Sequence, residues 1–221
     1  ACAMCQGDGT LMTYVQWGRS DSCSNGHTTL YTGYAMGERS DYDPPSGSSR
    51  GGHYSADMVC MDKEVAVHAT SSTADNNVRL FFMSQFKAGS ADETMYPVGD
   101  EVGCSVCGVP SSEGAVYEHW GSRTCPSGSS LLYEGFAAGK MYSDMGGSSN
   151  TVCMHSDPQA LPNVGTATSG TEYRNILHGA EYGFHDNIPG TSAATTVANL
   201  GDGACAMCQG DGTLMTYVQW G

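Results

Sequence analysis

Short runs in which apolar and polar positions alternate dominate the chain. In TLMTYVQWG (residues 10–18), Leu11, Thr13, Val15 and Trp17 fall on one face and Met12, Tyr14 and Gln16 on the other, the period of two that a strand requires. HTTLYTGY (27–34) and SSLLYEGF (129–136) are short, rich in β-forming residues and interrupted by glycine. ADMVCMD (56–62) and SNTVCMH (149–155) read as strands anchored by a cysteine. VRLFFMSQF (78–86) sets Val78, Leu80 and Phe82 against Arg79, Phe81 and Met83. No stretch sustains a capped helical stripe. TEYRNILHGAEY (171–182) comes nearest, and β is the better reading there too. The pattern predicts an all-β chain with little helix. It would form two tandem disulfide-stapled modules, sandwich or barrel-like, of about five to seven strands each.

Two nested repeats divide these strands. Residues 1–18 recur without change as residues 204–221, a displacement of 203 residues. Inside that period, Cys2, Cys5 and Cys23 return 102 residues later as Cys104, Cys107 and Cys125, and Cys60 returns 93 residues later as Cys153. The first half therefore carries about nine extra residues, which we place in the Pro/Gly/Ser-rich stretch DYDPPSGSSRGGHYSAD. Trp17-Gly18 matches Trp120-Gly121, Leu30-Tyr31 matches Leu132-Tyr133, and Gly33-Tyr34 matches Gly135-Phe136. The expected organisation is the end of a preceding module at 1–6, modules at 7–107 and 108–208, and the start of a next repeat at 209–221. A continuous tandem array, or a fibre cut at an arbitrary point, would produce such an order.

Composition narrows the setting. Thirty glycines and a hydrophobic share of 39% build modest cores joined by many turns, and small cores need covalent help. Ten cysteines supply it in an oxidising, extracellular compartment. The net charge of −14 repels phosphate backbones and anionic membrane surfaces. Nucleic acid is thus disfavoured, whereas cations and neutral glycans stay compatible. No apolar stretch approaches the length of a membrane span.

Four cysteines per module suit two disulfides in each. All ten (Cys2, Cys5, Cys23, Cys60, Cys104, Cys107, Cys125, Cys153, Cys205 and Cys208) are assigned to bridges. Crosslinks that close long loops stabilise most, so each CxxC should reach the two single cysteines of its own fold. Spacing leaves open whether that is the preceding or the following CxxC. Zinc is weaker, because the two CxxC pairs lie about 100 residues apart instead of at a short interval. Redox chemistry is weaker still, because neither CxxC opens a helix. Trp17, Trp120, Tyr31 and Tyr133 are expected as core aromatics beside the bridges.

Candidates for other chemistry are sparse. His178, Glu181, His185 and Asp186 form the closest metal-type cluster, and histidines in turns are the commoner case. Asp41, Asp43 and Asp75 follow no calcium-loop rule and read as turn formers. No HExxH motif or phosphate-cradling glycine loop occurs. Neither an enzymatic role nor a cofactor is expected. No N-x-Ser/Thr sequon is present, and O-linked sugar on Ser/Thr clusters such as 71–73 stays compatible.

The series Trp17, Gly18, Cys23, Tyr31, Gly33, Tyr34, Gly37, Cys60, Cys104 and Cys107 resembles the non-collagenous module attached to short-chain, spongin-like collagens and found in other secreted proteins of aquatic animals. So does its copy Trp120, Gly121, Cys125, Tyr133, Gly135, Phe136, Gly139, Cys153, Cys205 and Cys208. Ala180-Glu181-Tyr182 adds to the likeness. Asp62 and His155 stand where the family often has proline, Gly-Asp-Glu-Val-Gly at 99–103 replaces a histidine-rich turn, and no Gly-X-Y tract is present. The resemblance implies an extracellular structural setting without known activity. The leading expectation is a fibre protomer that assembles with its own kind head to tail. Its coupling strand would carry Leu11, Thr13, Val15 and Trp17, copied as Leu214, Thr216, Val218 and Trp220. A carbohydrate-binding adhesin or lectin is the alternative.

Overall fold

A computed structural model of the chain describes residues 9–38, 40–41, 57–66, 81–86, 100–140, 145–159, 161, 175–181 and 202–213, together with residues 3, 5 and 6. Among these residues the fold is all-β, with two short 3-10 turns at Ser24–Gly26 and Ser111–Glu113. The first half contributes β1 (Leu11–Trp17), β2 (Thr28–Gly37), β3 (Ser40–Asp41), β4 (Val59–Asp62), β5 (Phe82–Phe86) and β6 (Gly103–Pro110). The second contributes β7 (Val116–Trp120), β8 (Ser129–Gly139), β9 (Met145–Gly146), β10 (Val152–His155), β11 (Asn175–Gly179) and β12 (Ala204–Gly210). Residues 171–182 thus hold a strand, as preferred over a helix.

The two halves repeat the same pairings residue for residue. In β1–β6, Trp17 lies opposite Cys104; in β7–β12, Trp120 lies opposite Cys205. Gly33 faces Cys104 across β2–β6 and Gly135 faces Cys205 across β8–β12. Ala35 pairs with Cys60 across β2–β4 and Ala137 with Cys153 across β8–β10. Both long strands bulge at the same place, where Leu30 and Leu132 drop out of register. Gly18 and Gly121 close the Trp-Gly turns at φ 92° and 79°, a region a side chain rarely adopts. Their N–H groups donate to Gly103 O and Ala204 O, each at 2.8 Å.

Followed strand by strand, the pairings run β7–β12–β8–β10 through the second half and β1–β6–β2–β4 through the first. A parallel contact between β10 and β1, at Met154 opposite Trp17, joins them. β5 and β11 pair in parallel, Ser84 opposite Asn175, and β3 pairs with β9. Each of these contacts links one half to the other.

The cores cross between the halves as well. One cluster sets Trp17, Ala35, Met58, Phe86, Val102 and Cys104 against Ala138, Val152, Met154 and Leu177; the other sets Tyr14, Cys23 and Cys107 against Leu132, Tyr133, Cys153, Cys205 and Met207. The alternation expected in 78–86 is not what β5 shows. Val78 and Leu80 lie outside the described residues, and Ser84, Gln85 and Phe86 are buried in succession. A strand enclosed on both faces loses the period of two. Ser84 shows how: its hydroxyl lies 3.3 Å from Met58 Sδ and accepts from Asn175 Nδ2 at 2.7 Å.

Candidate functional site: the strand-edge surfaces

Four disulfides join Cys23 to Cys107, Cys60 to Cys104, Cys125 to Cys208 and Cys153 to Cys205, so each CxxC reaches back to the two single cysteines before it. All four stay within one half. Closing loops of 84, 44, 83 and 52 residues stabilises by about 4 to 5 kcal/mol each if loop entropy alone acts. Cys5, assigned to a bridge from sequence, is an exposed free thiol, and Cys2 lies outside the described residues. Cys5 is the counterpart of Cys107 and Cys208, whose partners precede them in the chain.

The Tyr-x-Gly motif locks each cysteine strand. Tyr31 donates its phenol proton to Cys60 O at 3.2 Å and Tyr133 to Cys153 O at 3.1 Å. A Cβ on Gly33 would stand 1.9 Å from Met61 O, and one on Gly135 would stand 1.9 Å from Met154 O. Only glycine admits so close a backbone. Gln16, fully buried, spans the turn after Trp17: its amide donates to Ser22 O and its carbonyl accepts from Ser24 N and Oγ. His119 occupies the equivalent place and bonds Thr124 O at 2.7 Å.

Equivalent residues nevertheless meet different surroundings. Trp17 is 7% exposed and Trp120 is 43%; Tyr133 is 4% exposed and Tyr31 is 37%. Trp120 and Tyr31 are therefore surface rings and not the core aromatics expected from sequence, whereas Trp17 and Tyr133 are core. The cause is the β1–β10 junction. It covers Trp17 on one side and Tyr133, Cys153 and Met154 on the other, and nothing among the described residues does the same for β7 and β4. Burial at this junction pushes the Tyr14 phenol up to about 12 and raises Tyr133 further. Tyr14 lies 3.1 Å from His27 Nδ1. His155 stacks on Tyr133 with ring centroids 4.8 Å apart, and burial lowers its proton affinity.

Polar contacts seal the rim of the same junction. Arg19 bonds Asp157 across it at 3.0 Å while also gripping Asp21, whose carboxyl that guanidinium holds down at about 2. Gly18 O accepts from Gln159 N at 2.9 Å, and Asn25 Nδ2 donates to Leu131 O.

The strand named from sequence as the coupling element, β1, already pairs with β6 along its whole length and meets β10 on its other edge at Trp17. Leu11 and Thr13 are exposed, Val15 is half-buried and Trp17 is buried. Its copy, with Leu214, Thr216, Val218 and Trp220, lies outside the described residues. Of the metal-type cluster, His178 pairs with Gly139 along β11–β8 and Glu181 bridges Asp202. His185 and Asp186 lie outside the described residues, and no group of three His, Cys, Asp or Glu among those described is placed to hold a metal. No helix among the described residues is long and apolar enough to cross a membrane.

No family model matches the chain, and no curated protein matches it.

Proposed function

We propose that this chain is a secreted structural protein, the protomer of a fibre built end to end from 203-residue repeats. The observation that carries the reading is the β1–β10 junction: two versions of one fold already associate, strand edge to strand edge, with shared cores on either side. A module that buries its tryptophan only against another module has a surface made for its own kind. Four bridges suit an oxidising exterior, and a net charge of −14 keeps an abundant extracellular protein dispersed until it docks. The likeness of both halves to the spongin-like collagen module points to the same matrix setting. The pairings also return on themselves from β8 through β10, β1, β6, β2, β5 and β11, which we read as a barrel-like body suited to rigid stacking.

The test is electron microscopy and sedimentation of the purified, oxidised chain over a rising concentration series. Filaments with a uniform axial repeat support the reading. A chain that stays monomeric at millimolar concentration, or that turns over a substrate, refutes it.

A further inference from the structure

Among the described residues, the strand ribbon that runs through both halves has two ends, β7 and β4, and each lacks a neighbour that its counterpart has. β1 lies between β6 and β10, whereas β7, its copy, pairs only with β12 among the described residues. β10 lies between β8 and β1, whereas β4, its copy, pairs only with β2 among the described residues. Exposure follows the same division. Along β10 all four residues are buried; along β4 three are half-buried and Asp62 is exposed. Trp120 on β7 is 43% exposed, a large apolar ring at the end of an open edge.

Resting on the fibre reading above, we infer that β7 of one repeat docks in parallel on β4 of the next copy of the repeat, Trp120 opposite Met61, reproducing the internal contact of Trp17 with Met154. The occupant follows from the repeat itself. The internal junction brings the β1 edge of the first half onto the β10 edge of the second, and the free edges are the same two surfaces with the halves exchanged. A contact of this kind joins unlike faces, so it propagates instead of closing, and strand addition supplies the backbone bonds.

The charges match as well. Arg19, just after Gly18, bonds Asp157, four residues after Cys153. Arg123 follows Gly121 by two, and Glu64, exposed, follows Cys60 by four. Arg123 holds Glu134 within its own half, as Arg19 holds Asp21, so a guanidinium engaged locally and extended across the junction has an internal precedent.

The experiment compares the assembly threshold of the oxidised wild-type chain with those of Trp120→Ser, Arg123→Glu and Glu64→Arg, all altered at exposed positions. Mass under non-reducing conditions first verifies four bridges in each. Trp120→Ser should raise the threshold about tenfold or more, as loss of an aromatic anchor does. Each charge reversal should raise it about threefold, the scale of an exposed ion pair. An equal mixture of Arg123→Glu and Glu64→Arg should recover towards wild type, because opposite charges again meet at every junction where the two variants alternate. If wild type forms filaments and Trp120→Ser forms them at the same threshold, the docking is wrong and the fibre reading stands. If wild type never assembles, both fall. If Trp120→Ser assembles normally and loses binding on a glycan array instead, the exposed ring serves sugar and the inference is overturned.

Discussion

The phenol of Tyr133 donates to the carbonyl of Cys153 at 3.1 Å in a fully enclosed site, while Tyr31 makes the same bond to Cys60 at the surface. One motif therefore serves two environments. Tyr133→Phe strands a buried carbonyl and should lower stability by about 1 to 3 kcal/mol. Tyr31→Phe leaves water able to replace the phenol and should stay within about 0.5 kcal/mol. Denaturant melts of the two variants under oxidising conditions check the difference, and equal losses would contradict it.

Gly135 admits the Met154 carbonyl to a position that a Cβ would occupy. The obstruction is backbone, which cannot swing aside as a side chain can. Gly135→Ala should cost about 3 kcal/mol or more, at the upper end of overpacking penalties. The exposed Gly26 has nothing within 4 Å of its Cβ position, though its φ is +71°. Gly26→Ala should accordingly cost less, on the order of 1 kcal/mol. Thermal unfolding of both variants ranks them.

His155 stacks on Tyr133, accepts from Asp157 N at 2.8 Å through Nδ1, and has its proton affinity lowered by burial and by Arg19. A histidine held neutral in the fold gives stability that is present above its ordinary value of 6.5 and lost as the unfolded state takes up the proton below it. Stability should therefore decline as pH falls from about 6.5 through the lower folded value. His155→Gln should flatten that part of the profile. Stability that rises over the same interval in the wild type, with no change in the variant, would contradict the assignment.

Reduction should act in two stages. Cys60 is half-buried, whereas Cys153 is fully buried beneath the junction. The Cys60–Cys104 bridge should therefore open before Cys153–Cys205 when a mild thiol is added, since access controls thiol–disulfide exchange. Timed alkylation with peptide mapping reads the order. Earlier loss of Cys153–Cys205 would show that the junction does not shield it.

The sequence made much of this visible. Displacements of 102 and 93 residues aligned Trp-Gly, Tyr-x-Gly and the cysteines, and those are the residues that fix the turn, the close backbone approach and the bridges in each half. Such features act within a few ångströms and recur wherever the motif recurs. What the sequence hid depends on contacts between the halves. Nothing about Trp17 and Trp120 as letters separates a buried ring from an exposed one, because the difference lies in what β10 covers and β4 does not. The same holds for Ser84, Gln85 and Phe86: a polar, amide and aromatic run reads as half-exposed until β11 encloses it. The direction in which each CxxC reaches also escaped spacing, because preceding and following pairs are both within range of an extended chain.

Amide hydrogen exchange on free and assembled chain tests the central claim most directly, that each repeat joins its own kind through the strand edges its halves already use. On assembly, the amides of residues 59–62 and 116–120 should slow markedly, while β6 and β12, paired on both sides already, stay as they were. Unchanged exchange at both edges in fully formed filaments, with new protection elsewhere, would contradict it.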